Sequence, residues 1–216
     1  MQLLTGTDLA VFAARWIAGR SHGNGAFRIA LSGGSTPRVV YERLAELDCD
    51  WSSWHVWWGD ERLVPPDHPD SNERTAREAW LSRVPVPEEQ IHPFRTPDLE
   101  LPDRFDLVLL GIGPDGHTAS LFPGDPALDV TDRPIVRVIR PDHPRLTLTY
   151  PVINGAKAAA FLVAGEGKRE MLARVLAGDP TLPAARVAAE ETYVLADEAA
   201  APASGDLADL LSRQPA

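Results

Sequence analysis

The sequence predicts an α/β protein built on an open, mainly parallel sheet with helices on both faces. Short apolar runs alternate with stretches of helical periodicity along most of the 216 residues. The run LVLL at 107–110 is apolar throughout, as a strand covered on both sides requires. Three polar, glycine-bearing loops, at 32–36, 59–62 and 111–117, each follow a candidate strand. Ligands of open α/β sheets bind at the carboxyl ends of the strands, so these loops are the first places to look for function.

The elements follow in order. Residues 1–20, MQLLTGTDLAVFAARWIAGR, read as an amphipathic helix; lacking a cationic start and with Asp8 before the apolar part, they do not read as a secretion signal. Residues 27–31 form a strand that ends in SGGSTP. Thr36 is suited to cap the next helix and Pro37 to its first turn, after which Val40, Leu44 and Leu47 share one face. A second strand at 55–58 leads through GDERLVP to a helical pattern over 72–81. The Pro-rich stretch 85–102 reads as a surface connection within one domain. Further strands are expected at 107–110, 135–139, 146–149, 160–164 and 193–195. Between the last two, GEGKREMLARVLAG carries a stripe of Met171, Leu172, Val175 and Leu176 and a stop at Gly178. Residues 202–216 form a short terminal helix or frayed tail on a single domain spanning 1–216.

Composition narrows the class. A net charge of −10 disfavours nucleic acid and anionic lipid as partners, and means that any phosphorylated ligand is held by local cations and backbone amides. Cys49 is the only cysteine, which excludes an internal disulfide, and no cluster has the sequence spacing of zinc ligands; no metal or cofactor is expected. No apolar run approaches the roughly 20 residues that span a bilayer. The cytoplasm is the default compartment, and no obligate protein partner is evident.

The loops carry the chemistry. SGGSTP offers Gly33, Gly34, Ser35 and Thr36 at a helix N-terminus, with backbone N–H groups and hydroxyls suited to a phosphate; a tight capped turn is the alternative. WWGDERLVP brings Asp60, Glu61 and Arg62 to a strand end, where Arg62 could fork onto a phosphate or carboxylate and Asp60 could bond a sugar hydroxyl or orient a base; solvated loop charges are the alternative. Trp57 and Trp58 read as core. In GIGPDGHTASLFPG, His117 lies among glycines with Asp115 two residues earlier, the setting of a general base as well as of a structural histidine. His22, His55, His68, His92 and His143 lack such a setting. Lys168 stands in a first helical turn, where a cation opposes the helix dipole, which hints at an anion as its partner. Ser35, Ser120 and Cys49 have no legible base partner, so a covalent mechanism is not expected.

Taken in order, LSGGSTP, GDERLVPPDHPDSN, FDLVLLGIGPDGHTASLFPG, PRLTLTYPVINGAKAAAFLVAGEGK and LPAARV resemble the 6-phosphogluconolactonase family over about residues 31–201. The resemblance implies a Rossmann-like fold shared with glucosamine-6-phosphate deaminases, and metal-independent hydrolysis of 6-phospho-D-glucono-1,5-lactone, a small sugar-phosphate substrate. It implies His117 as general base, with Asp60 and Asp115 as acidic residues lining the pocket. Gly33, Gly34, Ser35 and Thr36 with Arg62 and Lys168 would hold the phosphate; Arg145, in the R-x-T-L-T pattern, and Gly113 in the glycine loop would contribute. The related deaminases carry a glutamate five residues after the histidine, where this chain has Phe122, a side chain that cannot transfer a proton. That departure favours hydrolysis over deamination. A sugar-phosphate sensor is the remaining rival, and the acidic chain shows no helix-turn-helix or basic face in its support.

Overall fold

The structure, a computed structural model, describes residues 1–23 and 25–203. Its main sheet has six strands, all paired in parallel. They are β1 (Gln2–Gly6), β2 (Phe27–Leu31), β3 (Trp54–Trp58), β5 (Leu107–Leu110), β8 (Ala158–Val163) and β9 (Glu191–Asp197), in the order β1-β9-β8-β5-β2-β3. A second sheet is antiparallel and has three strands, β4 (Asp60–Arg62), β6 (Ile135–Val138) and β7 (Arg145–Leu148), with β7 in the middle. The helices are α1 (Leu9–Arg20), α2 (Ser35–Leu44), α3 (Asn72–Ala76), α4 (Tyr150–Asn154) and α5 (Arg169–Leu176).

Every residue of β5 and β8 is buried, so the middle of the main sheet is covered on both sides, as its unbroken apolar sequence required. The chain leaves β2 for β3 on one side and later returns to β5 on the other. The carboxyl ends of β2 and β5 therefore border a switch point, where a crevice opens between the loops that follow them.

Several expectations are corrected. The first six residues are not helical: Gln2 to Gly6 pair with Tyr193 to Asp197 as an edge strand, and the helix begins only after Asp8, whose Oδ1 accepts the Val11 N–H at 3.1 Å. Leu9, Ala13, Ala14, Ile17 and Ala18 then form the buried face of α1. Thr36 does not cap α2. The cap position is Gly34, whose φ of 106° suits glycine, and no side chain closes the helix N-terminus. The strands expected at 135–139 and 146–149 belong to the small antiparallel sheet, and the first ends at Val138, leaving Ile139 70% exposed. The loop expected at 59–62 is mostly strand: Gly59 donates to the Leu31 carbonyl at 2.8 Å and accepts from Leu148 at 2.8 Å, so one short stretch passes directly from one sheet to the other.

Other expectations hold. The pattern over 72–81 is helical, with Ser71 capping α3 through the Arg74 N–H at 3.1 Å and a π-helical turn over Arg77–Leu81. That turn brings Trp80 against Trp51, Trp54 and Tyr41, with ring centroids 5.4–6.0 Å away. The Pro-rich stretch lies along β3, where Ile91 bridges Val56 and His92 donates to its carbonyl at 2.8 Å. This covers an edge that would otherwise expose its hydrogen-bonding groups. Among the described residues no helix is long and apolar enough to cross a membrane. Of the terminal helix or tail expected over 202–216, residues 204–216 lie outside the described residues.

Candidate functional site

A cleft of about 250 Å³ opens where the sheet switches direction. The loops after β2 and β5 form two of its walls, through Ser32 and Gly33 and through Gly113 and His117. The small sheet forms the third, through Asp60, Arg62 and Arg145. A larger groove of about 1130 Å³ runs along β6, but it holds none of the residues singled out from the sequence. The smaller cleft is the one with reactive side chains.

The glycine loop shapes itself around His117. Its fold is closed by the Gly113 N–H donating to the His117 carbonyl at 2.8 Å and the Gly116 N–H to that of Gly113 at 3.1 Å. A Cβ on residue 113 would stand 2.0 Å from His117 Nδ1, so only glycine leaves room for the imidazole. Ala119, also on the cleft wall, has a φ of +48°, a backbone strain of the kind that collects at functional sites. Asp115 receives both the His117 backbone N–H, at 3.1 Å, and Nδ1, at 2.5 Å. Partial burial opposes ionisation of Asp115, yet the hydrogen bonds and charge of His117 outweigh it and hold the carboxyl below the usual range. The ring is thereby oriented through Nδ1, with Nε2 left as its other basic nitrogen. Phe122 packs against it at a centroid distance of 4.3 Å.

The small sheet sets out the cations. Its register places Arg62 directly opposite Arg145. Like charges so paired repel, which makes this an unfavourable arrangement unless an anion lies between them. Each guanidinium is partly tied down: Arg62 Nη1 donates to the Asp70 carbonyl at 2.7 Å, and Arg145 Nη2 to Asp142 Oδ2 at 2.5 Å. The Nε atoms of both are buried without a partner. Both residues line the cleft, and guanidinium groups set side by side in this way are suited to receive an oxyanion.

Asp60 is buried between the two regions, accepting from Ser120 Oγ at 2.6 Å. Asn72 Nδ2 donates to the Asp60 carbonyl at 2.9 Å, and its Oδ1 would lie 1.8 Å from a Cβ at Gly33, so the 33 position is glycine by close packing. Neighbouring Glu61 faces away from this chemistry. It accepts the N–H groups of Arg62, Asn72 and Glu73 at 2.7–2.8 Å, and burial raises its pKa despite those bonds. Tyr41 fixes the first loop, its hydroxyl donating to the Ser32 carbonyl at 2.7 Å and accepting the Ser32 N–H at 3.0 Å.

The structure thus brings Gly33, Asp60, Arg62, Gly113, His117 and Arg145 onto one cleft. Gly34, Ser35 and Thr36 stand beside it in the first turn of α2 rather than on its wall, and Asp115 stands behind His117. Lys168 is also off the wall; its Nζ donates to the Ile112 carbonyl at 2.7 Å, tying α5 to the glycine loop. Asn72 and the Ser120–Asp60 bond were not anticipated. The partners of the latter lie 60 residues apart, beyond any local pattern, whereas the Ser71-Asn72 pair opening a helix was a local signal read only as a helix start.

Comparison with known proteins gives a consistent picture. The family profile described as glucosamine-6-phosphate isomerases/6-phosphogluconolactonase matches residues 5–195. A protein of a Nostoc species named 6-phosphogluconolactonase is 49% identical over 174 residues, which cover 71% of this chain and 72% of that protein. The rat protein of the same name is 36% identical, over 84% of this chain and 82% of its own. Among solved structures, 6-phosphogluconolactonase from Thermotoga maritima superposes with a TM-score of 0.77 at 31% identity, covering 91% of this chain and 98% of that one.

Proposed function

The chain belongs to the glucosamine-6-phosphate isomerase/6-phosphogluconolactonase family, and we propose that it hydrolyses 6-phospho-D-glucono-1,5-lactone to 6-phosphogluconate, the lactonase step of the oxidative pentose phosphate pathway, with His117 as general base. One observation carries the reading: a single cleft holds an imidazole oriented by a carboxylate and, on its other wall, two arginines set opposite one another across the small sheet. A phosphorylated lactone has the matching pair of features, an anionic end and an electrophilic ester carbon.

In this mechanism Arg62 and Arg145 grip the phosphate and the uncapped N-terminus of α2 adds its N–H groups and dipole. The grip sets C1 near His117 and removes orientational freedom before the chemical step. His117 Nε2 takes a proton from water as the water oxygen bonds C1. Ionised Asp115, on Nδ1, stabilises the imidazolium that results. When the tetrahedral intermediate collapses, the bond from C1 to the ring oxygen breaks and the imidazolium returns the proton to that oxygen. The product carboxylic acid then ionises. The Gly113 N–H already serves the His117 carbonyl, so an oxyanion donor has to come from elsewhere on the cleft. Phe122 fills the space beside the imidazole where the deaminase pattern has its glutamate, which supports hydrolysis rather than ring opening and ammonia release.

Two variants test the two ends of the cleft. His117→Asn is expected to lower kcat by roughly 10²- to 10⁴-fold, once the spontaneous opening of the lactone is subtracted, with little change in KM. An almost fully active variant removes the base from the account. Arg62→Ala is expected to weaken 6-phosphogluconate binding by at least roughly tenfold in a calorimetric titration, as loss of a charged hydrogen bond implies. Unchanged affinity would take the arginine off the phosphate. Purified protein should release no ammonia from glucosamine 6-phosphate.

A further inference from the structure

Off the cleft wall, three side chains from two distant segments converge. Asp70 Oδ2 lies 3.0 Å from His143 Nε2 and 3.8 Å from His68 Nδ1. One donor atom of each residue falls within 4.8 Å of the others, and no other group of three such residues does so among the described residues. The imidazoles meet edge to face, with centroids 5.2 Å apart. Asp70 and His143 are separated by 73 residues, so no sequence spacing announces the cluster.

We propose that His68, Asp70 and His143 bind a divalent transition-metal ion of the Zn²⁺ class, and that its occupation stiffens the loops that hold Arg62 and Arg145. Two imidazoles and one carboxylate suit Zn²⁺, Co²⁺ or Ni²⁺ better than Mg²⁺ or Ca²⁺, which prefer oxygen ligands throughout. Bonds of about 2.0–2.2 Å to a tetrahedral ion place neighbouring ligand atoms about 3.4 Å apart. The two separations from Asp70 bracket that value, and all three side chains are partly exposed and free to make small rotations. His68 Nδ1 carries a lone pair, since it accepts the Asp70 N–H at 3.1 Å; the ion takes that lone pair in exchange for the hydrogen bond, after a small rotation of the ring. His143 Nε2 gives up its bond to Asp70 in the same way. Water completes the coordination.

The site is linked to the cleft through the backbone. Asp70 is the residue whose carbonyl holds Arg62 Nη1, at 2.7 Å. Asp142, beside His143, holds Arg145 Nη2 at 2.5 Å. An ion joining Asp70 to His143 therefore clips together the two segments that anchor the opposed arginines. That coupling rests on the phosphate reading of Arg62 and Arg145; the metal site does not.

The test uses the full untagged chain, stripped with a chelator and titrated with Zn²⁺, and with Co²⁺ for its tetrahedral absorption bands. One ion per chain is expected. His68→Gln and His143→Gln should each weaken binding by roughly 10- to 100-fold, while His117→Asn should bind as the parent does. Both glutamine variants should retain the metal-free lactonase activity, which shows that they fold. Absence of stoichiometric binding, or binding that His143→Gln leaves intact, overturns the site. With Zn²⁺ bound, 6-phosphogluconate should bind several-fold tighter to the parent and not to His143→Gln; equal affinity with and without the ion overturns the coupling. Failure of Arg62→Ala to weaken 6-phosphogluconate binding without metal is a different result, and counts against the phosphate reading instead.

Discussion

Asp115 accepts the His117 Nδ1 proton at 2.5 Å while nearly half of its own side chain faces solvent. In the proposed mechanism it acts on the substrate only through the imidazole, as a positioning residue. Asp115→Asn keeps the shape but loses the charge that stabilises the imidazolium, so kcat should fall by roughly 10- to 100-fold with KM nearly constant. A variant that instead raised KM and spared kcat would mean that Asp115 contacts substrate. At this scale the sequence was informative where neighbours in the chain are neighbours in space: Asp115, His117 and Gly113 lie within five residues. It was silent on the Asn72–Asp60 contact, on the Ser120–Asp60 bond and on the His68–Asp70–His143 cluster, because each joins residues that only the fold brings together.

The short strand β4 does more than its length suggests. It presents Asp60 and Arg62 to the cleft, and between them Glu61 accepts three backbone N–H groups and the Ser71 hydroxyl, two of those N–H groups at the start of α3. Glu61→Ala leaves these donors buried without acceptors and should cost about 2–4 kcal/mol, read as a lower urea midpoint. A change under about 0.5 kcal/mol, the size of a surface substitution, would show that the carboxylate is dispensable to this junction. Elements with their own periodicity, such as α5 and β5, were legible in the sequence. The edge strand β1 was not, since QLLT fits a helix as readily as a strand and becomes a strand by pairing with β9, nearly the whole chain away. The antiparallel sheet was missed for the same reason: its strands looked like members of the main sheet until Gly59 passed the chain from one to the other.

At the scale of the whole molecule, an acid sensitivity remote from the cleft is expected. His55, His92 and Trp57 stack along the covered edge of β3, with His92 4.1 Å from Trp57 and 5.9 Å from His55. Burial lowers the pKa of both imidazoles; Arg28 adds to the effect on His55, and His55 to that on His92. The unfolded chain thus binds protons on these rings at a higher pH than the fold does. Their contribution to stability is complete above the ordinary value of 6.5 and is lost as the pH falls through the lower folded values. The urea midpoint should drop as the pH falls below 6.5, and His92→Phe should flatten that drop; an equal drop in the variant would place the sensitivity elsewhere. The net charge of −10 adds nothing favourable for a phosphorylated substrate, which leaves recognition to the local cations. The decisive measurement is a crystal structure with 6-phosphogluconate bound. The account predicts the phosphate between Arg62 and Arg145 and the C1 carboxylate within about 3 Å of His117 Nε2; a phosphate bound away from both arginines, or a carboxylate out of reach of the imidazole, would contradict it.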